Sequence, residues 1–340
     1  MTMKAAAVLA EREAGLVDQP VPRPKENWAL VKVHVAPMCT EYKMFQAGRA
    51  DEYLGHEAVG EIVEIAQPGR VKVGDRVLVL PQTACGRCPH CTAGEYVYCE
   101  NNTDFEALHG SRVGSATMAQ YLLKPDWLLP PIPEDLSYER AGMANCALGP
   151  GFGAMKRMGL GRLETVLITG AGPVGLGTVV VARCLGARVI VAESVAHRAA
   201  LARELGAEEV VDPTDPDAAR QIRDLAGGDG VDCACECAGC VPAERLCLDA
   251  VRRRGRIAFV GECNDDLPIR VGNDMLRKGL TIHGSWNYNL GDVPAVFRII
   301  QETPGIERLT THVLPMSRIQ EALELCATHE TGKVMLHPWE

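Results

Sequence analysis

Four cysteines, Cys85, Cys88, Cys91 and Cys99, fall within one short stretch with the spacing C-x2-C-x2-C-x7-C. The stretch is polar and turn-forming, with Pro89 and Gly94, so it offers these thiols no apolar element to pack into. Four thiolates so spaced can close a tetrahedral shell around zinc and leave no position open, which makes the site structural. A second chemical signal runs from Thr165 to Glu193. There an apolar run meets Gly170-Ala171-Gly172-Pro173-Val174-Gly175, a small-residue helical pattern follows, and a second apolar run, Arg188 to Ala192, ends on Glu193. Strand, glycine turn, helix, strand and acid in that order form a dinucleotide-binding pattern. One glycine makes the turn, one lets backbone approach a pyrophosphate, and one lets helix pack on strand. The helix N-terminus offers free N–H groups and a positive dipole end to the phosphates. Glu193 stands where a carboxylate bonds the ribose hydroxyls of adenosine and repels a 2′-phosphate, so NAD is expected rather than NADP.

Elements must hold these groups in place. Asn27 to Ala36 alternates, with Val31, Val33 and Val35 on one face and Lys32 and His34 on the other, as in a half-buried antiparallel strand. Glu57 to Ile65 and Val71 to Leu80 continue the pattern, and short strands at this spacing suggest a barrel-like domain. A proline-rich path from Asp126 to Tyr138 leads out of it. Six strands are expected beyond: Val166 to Thr169, Arg188 to Ala192, Glu209 to Val211, Val231 to Cys237, Arg256 to Val260 and Leu280 to Gly284, with helical patterns between them. That is the count of a doubly wound parallel sheet. Helices around Val293 to Gln301 and Ser317 to Thr328, then a strand Lys333 to Leu336, return to mixed structure. A chain of 340 residues with 47% apolar and 23% charged residues suits two globular domains. Its net charge of −9 argues against a nucleic-acid partner. The N-terminal apolar run, Ala5 to Ala10, is too short for a secretory or membrane-spanning segment, so no membrane partner is expected. Fourteen cysteines without an export signal read as reduced thiols and metal ligands in a cytoplasmic protein.

Taken jointly, Gly55-His56-Glu57 with Gly60, Gly74-Asp75-Arg76-Val77, the four-cysteine lobe, Gly170 to Gly175 and the closing Gly332-Lys333-Val334 resemble the zinc-dependent medium-chain alcohol/polyol dehydrogenases along almost the entire chain. The resemblance implies an α/β protein: a GroES-like, β-rich catalytic domain over residues 1–150 with its structural zinc lobe at 85–99, a Rossmann NAD-binding domain over 151–285, and a return to the catalytic domain over 286–340. It implies a second, catalytic zinc held by Cys39, His56 and Cys146, with Glu57 beside it, and hence two zinc ions per chain. Two thiolates and an imidazole would leave a fourth position for substrate oxygen. Zinc there lowers the pKa of an alcohol, and hydride passes to the nicotinamide. Arg198 falls where relatives carry a cation beside the adenosine ribose. A homodimer or homotetramer is expected.

Two departures from the family pattern affect the site. The interval from Cys39 to His56 is short, which trims one wall of the substrate pocket. Relatives read Cys-x-Ser/Thr-Asp where this chain has Cys39-Thr40-Glu41-Tyr42, so the proton relay falls to Thr40 with Glu41 after a one-residue slip, or to Glu41 or Tyr42 itself. Gly284-Ser285-Trp286-Asn287-Tyr288-Asn289 resembles the polyol branch, or else a subunit-contact loop. The alternating Cys233, Cys235 and Cys237, with Cys240, are expected to pack in the sheet rather than to bind metal. The resulting expectation is an oxidoreductase acting on a small secondary alcohol or polyol with NAD(P). A zinc-dependent aldehyde reductase or primary alcohol dehydrogenase would use identical residues. A non-catalytic dinucleotide-binding protein would have little need for Cys39, His56 and Cys146 together, and a zinc hydrolase using Glu57 as base would have no use for the dinucleotide fold.

Overall fold

The structure is a computed structural model describing residues 1–340. Two compact units are present: residues 1–145, 289–301 and 310–340 form the first, and residues 146–288 and 302–309 the second.

In the first unit, β1 (Thr2–Ala10) and β2 (Glu13–Pro20) make an antiparallel hairpin. The larger sheet is built on β3 (Trp28–Pro37), which pairs antiparallel with both β4 (Ala58–Ile65) and β6 (Tyr121–Pro125), while β5 (Arg76–Val79) pairs with β4. Val31, Val33 and Val35 of β3 are buried whereas Lys32 and His34 reach partly into solvent, as the alternation in sequence requires. The expected strand over residues 71–80 is extended only from Arg76. Gly74 takes φ +92°, and the Lys72 N–H donates to Asp75 Oδ2 at 2.9 Å, so a turn occupies the first half.

The second unit holds β7 (Thr165–Thr169), β8 (Arg188–Ala192), β9 (Glu209–Val211), β10 (Val231–Glu236), β11 (Val251–Phe259) and β12 (Thr281–Gly284). They form one parallel sheet in the order β12-β11-β10-β7-β8-β9. Buried runs such as Val166–Thr169 and Val189–Ala192 suit strands covered on both faces. β11 begins before the expected Arg256 because Val251 already pairs with Val231, ahead of a bulge. The strand order reverses between β7 and β10, and a sheet of this kind takes ligands at the carboxyl ends flanking that reversal.

The chain then re-enters the first unit through the helix Val293–Glu302, β13 (Thr310–Pro315), the helix Ile319–Ala327 and β14 (Lys333–His337). β14 runs antiparallel to the end of β3, pairing Met335 with Pro37 and Leu336 with Ala36. The core of this unit therefore mixes early residues (Val31, Ile62, Val77) with late ones (Leu323, Val334, Leu336). No helix is long and apolar enough to cross a membrane.

Lys124 of β6 is a buried cation without an acid. It is 7% exposed, its Nζ donates to the Gln82 carbonyl, and burial lowers its pKa from 10.5 to about 7. The folded value lies below the unfolded one, so the unfolded chain binds more protons between these values and stability climbs with pH across that window. Below about pH 7 the full cost of a buried charge remains. Lys124→Met should therefore raise the Tm by about 2–4 °C near pH 6, with a smaller gain near pH 9.5. Scanning calorimetry at both pH values checks this, and an unchanged gain between them would mean that the ammonium is not the source of the cost.

Candidate active site

Sheet pairing places the chemical groups. β3 runs directly into Met38 and Cys39, and the Met38 N–H donates to the Val334 carbonyl of the returning strand at 2.9 Å. His56 and Glu57 stand immediately before β4. Gly55 ahead of them takes φ +88°, and a Cβ there would lie 2.5 Å from Thr117 Oγ1, so only glycine permits this approach. Cys146 lies in the kinked segment Ala144–Leu148, which continues from the helix Tyr138–Gly142. Asn145 is the kink: its ψ of −120° is not helical, and its Nδ2 donates to the Ala58 carbonyl at 3.4 Å. Cys39, His56, Glu57 and Cys146 each offer one donor atom, all within 4.8 Å of one another.

Around this cluster lies a network of ion pairs and hydrogen bonds. Glu41, 5% exposed, sets Oε1 3.0 Å from His56 Nδ1, and its Oε2 accepts the Cys39 N–H at 2.7 Å. With Nδ1 committed to the carboxylate, Nε2 is the imidazole nitrogen left for a metal. Glu57 and Lys333 are both fully buried, and Lys333 Nζ donates to Glu57 Oε1 at 2.6 Å. Burial disfavours charge on His56, but Cys39, Glu41 and Glu57 outweigh it and raise the imidazole to about 11. Burial raises Glu57 to about 7 even with Lys333 opposing. Sulfur and imidazole donors crowded among acids, with a proton held on His56, form a set that fits zinc, which would displace that proton on binding.

The three relay candidates separate. Glu41 is buried with both oxygens engaged, and the Tyr42 ring packs edge-on against His329 at 5.4 Å. Thr40 is exposed at the start of the helix Glu41–Gln46, with no capping bond from its hydroxyl.

In the four-cysteine lobe, Cys88 Sγ lies 3.5 Å from Cys91 Sγ and 3.9 Å from Cys99 Sγ, and Cys85 Sγ 3.9 Å from Cys91 Sγ. Sulfurs bonded at about 2.3 Å to one tetrahedral centre stand about 3.8 Å apart, so the set also fits zinc. The Arg87 N–H leads the groups that lower the Cys85 thiol to about 6, whereas burial and neighbouring sulfurs raise Cys91 to about 12. Asn289 latches this lobe: its Nδ2 donates to the Ala93 carbonyl at 2.9 Å and to Glu95 Oε1 at 3.0 Å, and the Leu290 N–H donates to the Gly94 carbonyl.

At the carboxyl end of β7 the glycine turn leads into the helix Pro173–Cys184, which has Gly172 as N-cap, Pro173 in its first turn and no side-chain cap. Its first N–H groups are therefore open to an anion. A Cβ on Gly175 would fall 1.8 Å from the Gly170 carbonyl oxygen, which fixes that position as glycine, and Val174 stands beside it in the opening turn. Glu193 accepts from the Ala171 N–H at 2.7 Å and the Val195 N–H at 2.8 Å, so the acid closes the turn as well as ending β8. Arg198 reaches the turn too, with Nη1 3.9 Å from the Cβ position of Gly172.

Sequence reasoning assigned no role to Lys333, although the closing Gly332-Lys333-Val334 was its signal. It also left Glu41 among three alternatives, and it missed the latch at Asn289.

A GroES-like domain carrying a cysteine–histidine cluster and a doubly wound sheet carrying a glycine turn define a zinc-type, dinucleotide-dependent oxidoreductase. Comparison with known proteins agrees. Residues 25–134 match the alcohol dehydrogenase GroES-like domain, and residues 173–302 match the zinc-binding dehydrogenase domain. The L-threonine 3-dehydrogenase of Symbiobacterium thermophilum is 32% identical, over 99% of this chain and 98% of its own. The sorbitol dehydrogenase of Bacillus subtilis is 31% identical, over 99% and 97%. Among solved structures, the alcohol dehydrogenase TADH from Thermus sp. ATN1 superposes with a TM-score of 0.88 at 28% identity, covering 98% of this chain and 99% of that one. The chain belongs to the zinc-dependent medium-chain dehydrogenase family.

Removing the acid behind His56 should loosen a metal at that cluster alone. Glu41→Ala is expected to weaken one zinc by about 10–100-fold in chelator competition, while zinc in the four-cysteine lobe holds as in wild type. Wild-type chelator resistance for both ions would remove Glu41 from this role.

Proposed function

We propose that this protein oxidises a secondary alcohol or polyol with NAD, or runs the reverse reduction, using one zinc at Cys39, His56 and Cys146 and a second in the Cys85–Cys88–Cys91–Cys99 lobe. The observation that carries the reading is the four-donor cluster within 4.8 Å, with Glu41 fixing the imidazole tautomer. Zinc, when bound, supplies Lewis acidity toward a hydroxyl, and the nicotinamide supplies a two-electron acceptor. Cys39 and Cys146 bring negative charge to the metal position. Glu57, neutralised in part by Lys333, stays close without dominating it. Glu41 and Tyr42 are engaged elsewhere, so Thr40 is the hydroxyl next to Cys39 that can hand a proton to solvent.

Two features support a polyol over a simple alcohol. Ser285 and Asn287 are 3% and 7% exposed, and Ser285 Oγ and Asn287 Oδ1 have no hydrogen-bond partner. Buried polar atoms without a protein partner are available to a polar ligand, and the loop that carries them, Gly284 to Asn289, resembles the polyol branch. The relatives named for threonine and sorbitol act on alcohols with polar neighbours. Asn289, in the same loop, spends its amide on the cysteine lobe. The Glu193 carboxylate at the glycine turn supports NAD over NADP, and Arg198 supplies a cation for the pyrophosphate or ribose.

Elemental analysis with a kinetic panel tests this reading. Wild type should carry close to two zincs per chain and reduce NAD with a polyol or hydroxy-amino acid. Cys146→Ala should fall toward one zinc and lose activity. Thr40→Ala should lower kcat by about a hundredfold while Thr40→Ser keeps most of it. One zinc in wild type, unaffected by Cys146→Ala, would end the proposal. In the same assay, Glu193→Ala should erode the preference for NAD over NADP by about tenfold or more, since a bond to a charged group is removed. An unchanged ratio would place the discrimination elsewhere.

A further inference from the structure

Fourteen cysteines are more than two metal sites use, and two of the remainder stand in contact. Cys235 lies in β10 and Cys237 just beyond it, on the same face, with their Sγ atoms 3.7 Å apart. Residues two apart on an extended chain have Cα atoms about 6.6 Å apart, inside the span a disulfide bridges. Bond formation needs the sulfurs to close by about 1.7 Å, which side-chain rotation and a small bend at residue 236 can supply. Cys235 is fully buried whereas Cys237 is partly exposed, so a small oxidant reaches Cys237 first. Neither sulfur belongs to either cluster able to hold a metal.

The surroundings give this pair a consequence. The Cys237 N–H donates to the Thr169 carbonyl at the end of β7, and its Sγ lies 3.8 Å from Thr178 Oγ1 on the helix that follows the glycine turn. Glu236, between the two cysteines, accepts the Ala238 and Gly239 N–H groups at 2.7 Å each through one oxygen, stapling the next turn. That turn presses on the glycine motif: a Cβ on Gly170 would lie 2.8 Å from Ala238 Cβ. Rotation at residue 236 therefore moves backbone that the dinucleotide turn rests upon.

The geometry points to a reversible Cys235–Cys237 disulfide, formed by hydrogen peroxide, that distorts residues 237–239 and weakens dinucleotide binding, the last effect resting on the NAD site proposed above. The Cys237 thiol gives its proton to water and the thiolate attacks peroxide: an S–O bond forms, the O–O bond breaks, and the departing hydroxide takes up a proton from solvent to become the first water. The Cys235 sulfur then attacks Cys237, an S–S bond forms, and the S–O bond breaks. The hydroxyl departs with the Cys235 proton as water, so two thiols are oxidised and one peroxide is reduced to two waters. The neighbouring Cys237 and burial hold the Cys235 thiol well above its ordinary pKa, in keeping with its acting second and carrying the proton.

The test uses the zinc-replete full chain, limiting hydrogen peroxide, alkylation of remaining thiols and tandem mass spectrometry of the peptide holding Cys233, Cys235, Cys237 and Cys240. Zinc per chain is measured alongside, and NADH affinity is read by fluorescence titration. The expected peptide is two hydrogens lighter and recovers with dithiothreitol. It forms in wild type and in Cys240→Ser, and it is absent from Cys235→Ala. NADH affinity should fall about tenfold on oxidation with zinc retained, and should not fall in Cys235→Ala. Cys235 found alkylated, or a bond mapped to Cys240, overturns the disulfide. A mapped bond with unchanged NADH affinity overturns its effect on binding. Reduced protein that fails to bind NADH would instead count against the dinucleotide site, leaving the mapped bond to decide the disulfide.

Discussion

A carboxylate and an ammonium sealed from water, Glu57 against Lys333, constrain much of the first unit. Each ion alone would be expensive to bury, and together they are tolerable only at close range with good geometry. The 2.6 Å contact meets that condition. It can form only if the strand carrying Lys333 lies beside β3 and the segment ahead of β4. The β3–β14 pairing and the Met38-to-Val334 bond enforce that position. The discontinuous layout of this unit and the electrostatics next to His56 are thus one problem with one solution.

The same logic of matched charge runs through the cysteine–histidine cluster. His56 is pulled toward a proton by Glu41, Cys39 and Glu57, and Glu41 is itself held by His56 and by the Cys39 N–H. A pocket with this balance favours a cation, and its sulfur and imidazole donors select among cations. Glu41 reaches both the His56 imidazole and the backbone of Cys39 from a position two residues after that cysteine. Tyr42, the next residue, packs against His329 instead.

Local spacing was the part of the molecule most legible in sequence. The four cysteines, the glycine turn with Glu193 and the six-strand rhythm depend on residues close in the chain, and each appears where its spacing indicated. Lys333 and Asn289 were opaque because their roles arise from strands and loops brought together over long separations. The parts played by Thr40, Glu41 and Tyr42 depend on the rotation of their short helix, which sends the first to solvent and the second inward. The strand expected over residues 71–80 was overextended because a turn built by Gly74 and Asp75 outweighs the β-preference of the valines around it. Alternation put Cys235 and Cys237 on one face, but the contact between their sulfurs depends on side-chain rotation that no spacing encodes.

Pairing of Glu57 with Lys333 spans 276 residues of chain, and this separation orders events during synthesis. Until Lys333 has left the ribosome, Glu57 has no counter-ion, β3 has no β14, and the core that draws on Leu323 and Val334 is incomplete. The strands of the parallel sheet, Thr165 through Gly284, have all been made by then and need none of those late residues for their own pairing. Domain-wise folding from the N-terminus is the usual order for a growing chain. Here the sheet that holds the glycine turn can be finished while the N-terminal unit still waits for its last strand.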